Sequence, residues 1–414
     1  MSNYIKKNMS KELFSLGKIY PSDFLAPNEE PRCEPVELKL IMDDQGFVHL
    51  NETAPADKMW GKYWYRSGIN ATMKAELKDI VDSILKTYRG SFNVWTDLAS
   101  NDGTLLSFVQ SGTIRIGIDP ADDSFKNEAL KHADIIVQDY FSDEVYNNIA
   151  GSKSDIVTCI SMFYDLQNPN KFLRDVYEVL QDDGLFVMQM SYSGLMIKQT
   201  EFLNVCHEHY FYYSLQNLER LLSQNGFKIM DAQINDCNCG SVRLYIMKQE
   251  GNEAKFGSQP YRDVCRMRFE SLLSYEQYLK LEEPATWEKF YTDILALKDK
   301  TVDFIKKAKA DGKTVAALGA STKGNTLLQF FGLDNTLIDF ISERSPAKFG
   351  LRTVGTNIPI ISEEEARERK PDYMLILPFH FVNEFIDREK EYLDNGGKFI
   401  VPVPEFIIIG GKND

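Results

Sequence analysis

Apolar and polar positions follow two different periods along the central part of the chain. Between residues 70 and 88 the apolar side chains recur at helical spacing, which predicts a helix. Beyond it, short apolar runs typical of buried strands alternate with helical patterns as far as residue 248. This alternation predicts a mostly parallel, doubly wound sheet with helices on both faces. The predicted strands lie at 93–98, 115–118, 134–137, 156–160, 185–190, 227–233 and 242–248.

A second, shorter α/β series occupies the C-terminal part of the chain. Its strands are predicted at 314–319, 337–341, 373–377 and 398–401, after a polar segment and a helical stretch. Residues 1–60 contain five prolines and one alternating run, at 36–40, so we expect an irregular lobe there. The predicted division is an N-terminal lobe at 1–68, a first α/β domain at 69–250, a helical linker at 251–310 and a smaller α/β domain at 311–414.

The chain is acidic, with 47 Lys and Arg against 61 Asp and Glu in 414 residues, a net charge of −14. This surplus opposes binding to a phosphate backbone, so we expect no nucleic-acid partner. No window approaches the ~20 apolar residues that span a bilayer, and the first residues lack the apolar stretch of a signal peptide. Six scattered cysteines do not form a disulfide framework. We expect a cytoplasmic protein with no membrane partner, as a monomer or small homo-oligomer.

A turn of small and polar residues follows the first predicted strand. Residues 97–103 read Asp-Leu-Ala-Ser-Asn-Asp-Gly, and the next strand ends on Asp119. Ligands of doubly wound sheets bind at the carboxyl ends of the strands, where an acid can bind ribose hydroxyls. The turn at 97–103 and Asp119 together therefore predict a nucleotide-containing cofactor. The spacing fits both NAD and S-adenosylmethionine, and the G-x-G-x-x-G pattern is absent.

A second turn opens the smaller domain, where residues 319–326 read Gly-Ala-Ser-Thr-Lys-Gly-Asn-Thr. Free N–H groups at a helix N-terminus favour a phosphate, and Lys323 adds a positive charge. A diphosphate fits this turn. An ordinary Rossmann-type turn and an NAD site are the alternatives.

Residues 207–209 read His-Glu-His and hold two of the five histidines in the chain. A histidine of ordinary pKa, ~6.5, is largely neutral at pH 7 and can accept a proton. In an extended segment His207 and His209 would point to one side and Glu208 to the other. A pair of structural histidines is one alternative. A zinc site that includes Cys206 is another, although no further ligand cluster lies nearby.

Four segments resemble motifs of one family, the three-domain sugar C-methyltransferases of deoxysugar and surface-polysaccharide pathways. Residues 97–106 resemble its D-x-G-S-N-D-G-T-L-L motif, and residues 63–73 resemble its Y-x-Y-R-S-G-x-N-A-T-M segment. Residues 207–215 resemble H-E-H-x-x-Y-Y-S-L, and residues 319–326 resemble G-A-S-x-K-G-N-T. The resemblance implies a Rossmann-like class I methyltransferase domain followed by a second domain that helps to hold a nucleotide sugar.

The same resemblance implies roles for individual residues. His209 would be the base that removes a proton next to a sugar ketone, Glu208 would orient or tune it, and His207 would support it. Tyr63 and Tyr65 would contact the substrate or the cofactor. S-adenosylmethionine contacts are implied for Arg66, Ser67, Asp97, Ala99, Ser100, Asn101, Asp102, Gly103, Asp119, Pro120, Asp139, Tyr140, Phe141 and Ser161. Nucleotide-sugar contacts are implied for Ser321, Lys323, Asn325 and His380.

The expected reaction is therefore methyl transfer from S-adenosylmethionine to carbon of a nucleotide-linked ketosugar. Methylation of sugar oxygen or nitrogen is an alternative. A nucleotide-sugar-binding protein without activity is another, and an NAD-dependent dehydrogenase is the weakest.

Three positions and the N-terminal lobe depart from the family pattern. Ala99 stands where glycine is usual, Cys206 where tyrosine precedes the His-Glu-His motif, and Asp165 where many members carry histidine. An ionised Asp165 facing the substrate would repel a developing enolate. The family's N-terminal lobe holds zinc with paired cysteines, but Cys33 is the only cysteine before residue 69. We expect a shortened lobe without metal, held by packing on the central domain.

Overall fold

The computed structural model of the protein describes residues 10–60 and 64–410. The elements before residue 64 are β1 (Lys11–Ile19), β2 (Phe24–Leu25), β3 (Val36–Met42), β4 (Val48–Leu50) and α1 (Ala56–Trp60). Those of the central part are α2 (Ala71–Thr87), β5 (Val94–Leu98), β6 (Ile114–Ile118), α3 (Asp123–Ala129), β7 (Ile135–Val137), α4 (Asp143–Asn147), β8 (Ser154–Ile160), α5 (Pro169–Val179), β9 (Leu180–Ser191), α6 (Ser193–Lys198), β10 (Phe211–Tyr212), α7 (Leu215–Gln224), β11 (Phe227–Asn235) and β12 (Ser241–Lys248).

The C-terminal part begins with two long helices. Its elements are α8 (Gln259–Leu279), α9 (Pro284–Ala310), β13 (Val315–Leu318), α10 (Thr322–Phe331), β14 (Ile341–Glu343), β15 (Arg352–Thr353), β16 (Ile360–Ser362), α11 (Glu363–Arg369), β17 (Tyr373–Ile376), α12 (Val382–Arg388), α13 (Lys390–Asp394), β18 (Lys398–Val401) and β19 (Ile407–Ile409). Short 3-10 helices lie at Ser67–Ile69, Leu106–Phe108, Phe163–Asp165, Phe202–Asn204, Cys237–Cys239, Glu253–Lys255, Pro346–Lys348 and Phe379–Phe381.

The central sheet has seven strands in the order β11-β12-β9-β8-β5-β6-β7. Strands β5 to β9 run parallel, and β12 is antiparallel to both of its neighbours. Every residue of β5 is buried, as expected for a strand covered on both faces. This arrangement confirms the predicted doubly wound sheet and brings the carboxyl ends of β5, β6 and β8 to one edge.

The predicted helix before the sheet is present as α2. The Asn70 side chain caps it by accepting hydrogen bonds from the N–H groups of Thr72 and Met73, at 2.8 and 3.3 Å. Its apolar stripe, which includes Leu77 and Ile84, is buried. The helix thus covers one face of the central sheet and leads the chain into β5.

The C-terminal sheet has six strands in the order β16-β14-β13-β17-β18-β19. All pairs are parallel except that of β18 with β19. The second, smaller α/β unit predicted from the sequence is therefore confirmed. Strand β13 leads directly into the turn at 319–321 and then into α10.

The N-terminal lobe is more regular than its prolines indicate. It forms a sheet in the order β1-β3-β4-β10, so its last partner is the strand that follows the His-Glu-His motif. The nine-residue β1 escapes detection because two register shifts against β3 interrupt its alternation of apolar and polar residues.

The lobe also packs on more than the central domain, which corrects our expectation. Its apolar side chains share one continuous core with the C-terminal domain. The Phe14 ring stacks on Tyr291 of α9, with centroids 4.9 Å apart. Strand β2 pairs with β15 of the C-terminal part. The lobe therefore joins the C-terminal domain to the His-Glu-His segment.

Candidate active site

The turn after β5 has a tightly constrained backbone. Ala99, Asn101 and Gly103 have positive φ angles of 59°, 52° and 76°. A Cβ on Gly103 would lie 2.8 Å from the Cα atom of Ala129, so no larger residue fits there without a shift. Asp119 at the end of β6 accepts hydrogen bonds from two backbone N–H groups, those of Asn101 and Ala121, both at 2.8 Å. Each Asp119 oxygen keeps a further acceptor site for a ligand.

The 65–68 segment is fastened to this turn. The Ser67 N–H donates to Asn101 Oδ1 at 3.1 Å, and the Gly68 N–H donates to Asp102 Oδ2 at 2.8 Å. In return the Asn101 amide donates to the Tyr65 carbonyl at 3.1 Å. The structure thus brings together the two motifs that the sequence assigned to the cofactor.

Arg66 extends from this segment over α3. Its guanidinium lies 3.9 Å from the centroid of the Phe125 ring and donates to Ser124 Oγ at 2.5 Å. Tyr65 is 37% exposed, yet its hydroxyl end lies in a desolvated setting near Cys237 and Asp102, which raises the pKa of the phenol. Tyr63 lies outside the described residues.

The turn fits a nucleoside cofactor on two further observations. The Ser100 hydroxyl is buried and has no hydrogen-bond partner within residues 10–60 and 64–410. The Asp97 carboxyl is buried and accepts a hydrogen bond from Thr158 Oγ1 at 2.6 Å, and burial raises its pKa to about 7. An unpartnered hydroxyl next to a constrained turn leaves a polar group for a ligand to satisfy.

The remaining predicted cofactor residues border the same strand ends. Pro120 follows Asp119, and Ser161 follows β8 with a positive φ of 55°. Asp139 accepts the N–H of Tyr140 at 2.7 Å, and Tyr140 is exposed. The Phe141 ring packs edge-on against Phe172 with centroids 5.4 Å apart, so it also belongs to the core.

The His-Glu-His segment is a turn, not the extended strand that we expected. It follows the 3-10 helix Phe202–Asn204, and the His209 N–H donates to the Cys206 carbonyl at 3.2 Å. The His207 ring faces the N-terminal lobe, with Nε2 3.2 Å from the Val36 carbonyl, and burial lowers its pKa to about 4. Glu208 and His209 both lie in the field of Lys323. The alternation expected of an extended segment therefore does not hold in this turn, and residue 207 supports the lobe.

His209 is held in one tautomer. Its Nδ1 lies 2.8 Å from the Asn204 carbonyl, which can only accept, so Nδ1 carries the proton. The other ring nitrogen, Nε2, is left with a free lone pair. The side chain is 7% exposed and packs on the Tyr164 ring with centroids 4.1 Å apart. Burial and the charge of Lys323 hold its pKa well below the ordinary value.

The turn before α10 differs from a free phosphate site. Ser321 Oγ caps α10 by accepting the Gly324 N–H at 3.0 Å. A Glu343 carboxylate oxygen already accepts the Ala320 N–H at 2.8 Å. The Asn325 amide donates to Ser22 Oγ and to the Asp23 carbonyl, both at 3.0 Å, and so ties α10 to the lobe.

Lys323 extends from this turn to Asn204, next to the His-Glu-His motif, and His380 of the 3-10 helix Phe379–Phe381 lies in the field of Lys323. Lys323 Nζ lies 2.5 Å from Asn204 Oδ1. His380 Nδ1 is buried and without a hydrogen-bond partner among the described residues, and burial with the charge of Lys323 lowers its pKa to about 3. Of the four predicted substrate residues, Lys323 therefore reaches the segment that holds the candidate base, while Ser321 and Asn325 make internal bonds.

Three residues of this cluster were not assigned a role from the sequence. Burial and neighbouring Glu208 raise the pKa of Asp165 well above its ordinary value, which favours the neutral carboxyl over the carboxylate that would repel an enolate. Burial raises the pKa of Glu201 to about 7. Asn204 connects Lys323 to His209. Isolated Glu and Asn residues carry no spacing pattern, so no sequence signal indicated a role for Glu201 or Asn204.

The described residues hold no group of three His, Cys, Asp or Glu side chains placed to bind a metal ion. Within that part of the chain, no helix has the length and apolar character needed to cross a membrane. All six cysteines are free thiols.

Comparison with known proteins identifies both domains. A methyltransferase-domain family matches residues 69–232, and the C-methyltransferase C-terminal domain family matches residues 236–404. The chain is 29% identical over 371 residues to the C-methyltransferase NovU of Streptomyces niveus, covering 88% of this chain and 85% of that protein.

Two solved methyltransferases were also found by comparison of structures. The magnesium protoporphyrin IX methyltransferase of Synechocystis PCC 6803 with bound S-adenosylmethionine is 12% identical, covers 42% of this chain and 79% of its own, and gives a TM-score of 0.32. A Clostridium acetobutylicum S-adenosylmethionine-dependent methyltransferase is 14% identical, covers 43% of this chain and 92% of its own, and gives a TM-score of 0.33.

The sheet order, the turn at 97–103 and the family matches define an S-adenosylmethionine-dependent methyltransferase with a Rossmann-like class I fold. The C-terminal match narrows this class. In this chain a region that matches the C-methyltransferase C-terminal domain family follows the methyltransferase domain.

Proposed function

We propose that the protein transfers the methyl group of S-adenosylmethionine to a carbon next to the ketone of a nucleotide-linked sugar, with His209 as the base. One observation carries the proposal: Nδ1 of His209 is committed to the Asn204 carbonyl at 2.8 Å, which leaves Nε2 unprotonated in a buried site between two domains. The relationship to the C-methyltransferase NovU supports carbon as the acceptor.

S-adenosylmethionine supplies an electrophilic methyl group on a sulfonium. We propose that Asp119 holds the ribose hydroxyls, and that Ser100 with the backbone of 99–103 holds the methionine end. The 65–68 segment, fastened to Asn101 and Asp102, closes over this pocket. Arg66, stacked on Phe125, fixes the position of that segment.

His209 Nε2 removes the proton from the carbon next to the ketone, and the electron pair of that C–H bond forms an enolate. The same carbon then forms a bond to the methyl group, and the electrons of the broken C–S bond remain on sulfur. The products are the C-methylated ketosugar and S-adenosylhomocysteine. The proton on Nε2 passes to solvent after the products leave.

The charges around His209 suit this step. The low pKa of His209 keeps Nε2 free of a proton at neutral pH, and the enolate then stabilises the imidazolium formed beside it. The ammonium of Lys323 adds positive charge, and the raised pKa of Asp165 reduces the repulsion that its carboxylate would add.

The reaction is tested by incubating the protein and S-adenosylmethionine with a panel of dTDP-, GDP-, UDP- and CDP-linked ketosugars. Mass spectrometry detects the added methyl group, and NMR locates it. We expect a product in which one ring C–H signal next to the ketone is lost. A methyl group on oxygen or nitrogen, or binding of a ketosugar without turnover across the panel, would contradict the proposal.

A further inference from the structure

Lys323 belongs to the C-terminal domain, yet its ammonium ends in the central domain. Its Nζ lies 2.5 Å from Asn204 Oδ1, across 119 residues of sequence. Asn204 is 1% exposed, and its side-chain oxygen also accepts from Ser191 Oγ at 3.2 Å. The backbone carbonyl of the same residue accepts the Nδ1 proton of His209 at 2.8 Å. One buried residue thus connects a lysine of one domain with the candidate base of the other.

The helix that carries Lys323 also fixes this segment through apolar contacts. Phe202 begins the 3-10 helix that ends at Asn204. Its ring stacks on Phe331 of α10, with centroids 5.4 Å apart and planes at 18°, and meets Phe330 at 5.9 Å. Helix α10 therefore holds the Phe202–Asn204 turn through two contacts, the aromatic stacking on Phe202 and the charged hydrogen bond from Lys323 to Asn204.

We infer that Lys323 is a positioning residue for His209: it anchors Asn204, and the Asn204 carbonyl in turn holds the imidazole with Nε2 unprotonated. This inference rests on the proposed role of His209. It replaces the diphosphate contact that the sequence predicted for Lys323, because the ammonium is directed to Asn204 and the nearby Ala320 N–H is already bonded to Glu343.

The charge of Lys323 acts in the same direction as its hydrogen bond. It lowers the pKa of both His209 and His380. The acidic groups that share this field are Asp165, Glu201 and Glu208, and burial raises the pKa of each. The thiol of Cys206 lies in the same field, and burial raises its pKa well above the ordinary value. Burial therefore limits how much of the lysine charge these groups cancel, and that charge disfavours a second proton on the imidazole of His209.

The experiment compares Lys323→Met, which removes the charge and the donor, with Lys323→Arg, which keeps both. The protein is labelled with nitrogen-15 at its five histidines, and His209 is assigned by its absence in His209→Asn. Ring nitrogen shifts then report the tautomer and the protonation midpoint of His209 without any substrate. Lys298→Met is the matched control, because Lys298 also contacts α10, donating to the Phe330 carbonyl at 2.6 Å.

We expect Lys323→Met to raise the protonation midpoint of His209 by about 1 pH unit or more and to weaken the preference for the Nδ1 proton. Lys323→Arg should restore both, and Lys298→Met should change neither. If a ketosugar substrate is found, the acidic limb of kcat/KM should move to higher pH in Lys323→Met.

An unchanged tautomer and midpoint in a folded Lys323→Met protein would overturn the inference. So would a loss of nucleoside-diphosphate affinity in that variant with the His209 signals unchanged, since that result assigns the lysine to phosphate. Asn204→Ala provides a second route should Lys323→Met fail to fold, and unchanged His209 signals in Asn204→Ala would overturn the inference equally. The NMR result does not depend on turnover, so failure of the proposed reaction is distinguished from failure of this inference.

Discussion

The Asn204 carbonyl lies 2.8 Å from Nδ1 of His209, and the two residues stand on either side of a single buried turn. A carbonyl accepts but never donates, so this contact decides which ring nitrogen is free to act. The proposed chemistry follows from that one relationship, since only Nε2 can take a proton from a substrate.

Replacement of His209 by Asn should abolish methyl transfer and leave cofactor binding intact. Removal of a general base costs ~10²–10⁴-fold in rate, and Asn cannot replace Nε2 as a proton acceptor. Turnover is measured by product mass and S-adenosylmethionine affinity by calorimetry. His132→Asn is the matched control, because His132 lies beside Glu128 on α3 and should keep full activity. Substantial turnover by His209→Asn would exclude it as the base.

Replacement of Asp165 by Asn should be tolerated. Burial and Glu208 raise the pKa of Asp165 well above its ordinary value, which favours the neutral carboxyl that an amide resembles. We expect a loss far smaller than the ~10²–10⁴-fold that removal of an essential acid or base causes. Deprotonation of Asp165 as the pH rises should lower wild-type activity, and this decline should be absent in Asp165→Asn. A loss at pH 7 as large as that of His209→Asn would show that the ionised carboxylate is needed.

Replacement of Asp119 by Asn should weaken cofactor binding. Its two oxygens accept the N–H groups of Asn101 and Ala121, both at 2.8 Å, and an amide would set a donor against one of them. We expect the dissociation constant for S-adenosylmethionine to rise at least about tenfold, or ~1.4 kcal/mol. The control is Asp134→Asn, which removes an ion pair with Arg115 beside the same strand. If the two variants bind S-adenosylmethionine equally well, Asp119 does not contact the cofactor.

Replacement of Glu201 by Gln should stabilise the protein at alkaline pH. The folded pKa, about 7, lies above the ~4.3 of an unfolded chain, so the folded state binds the proton more tightly. Ionisation of Glu201 therefore lowers the free energy of unfolding progressively between about pH 4 and pH 7. Above pH 7 this loss of stability stays constant. Urea unfolding should show Glu201→Gln to be more stable than the wild type at pH 8, by on the order of 2–4 kcal/mol, with the difference lost near pH 4.

The control for that measurement is Glu288→Gln. Glu288 forms an exposed ion pair with Lys11 at 2.9 Å, and such pairs contribute little to stability. A difference between Glu201→Gln and the wild type that does not vary with pH would contradict the assigned pKa.

The period of apolar residues predicted both α/β units because buried strands and amphipathic helices leave distinct local patterns. Strand β1 was missed because its bulges disturb the alternation of apolar and polar residues. Its pairing with β3 forms the strand despite that irregular pattern. The prediction of an extended His-Glu-His segment was wrong for a related reason. The hydrogen bond from the His209 N–H to the Cys206 carbonyl turns the chain, and no residue type in the motif demands that turn.

The roles of Lys323 and Asn204 lay beyond sequence reasoning for a different cause. A lysine in a helix-opening turn has the same local pattern whether it binds a phosphate or reaches another domain. Only the packing of Phe202 against α10 brings Asn204 within 2.5 Å of the ammonium. Periodicity along the chain predicts which residues form one strand or helix. It does not predict contacts between two domains, because those depend on how the domains pack.

The most direct test of the central claim is hydrogen exchange at the substrate carbon in D₂O, with S-adenosylhomocysteine in place of the methyl donor. Without a methyl group to accept, the carbon that His209 deprotonates can only take up solvent deuterium, which NMR detects at one position beside the ketone. The wild-type protein should exchange that position, and His209→Asn should not exceed the rate of the free sugar. Exchange by His209→Asn at the wild-type rate would show that another group removes the proton.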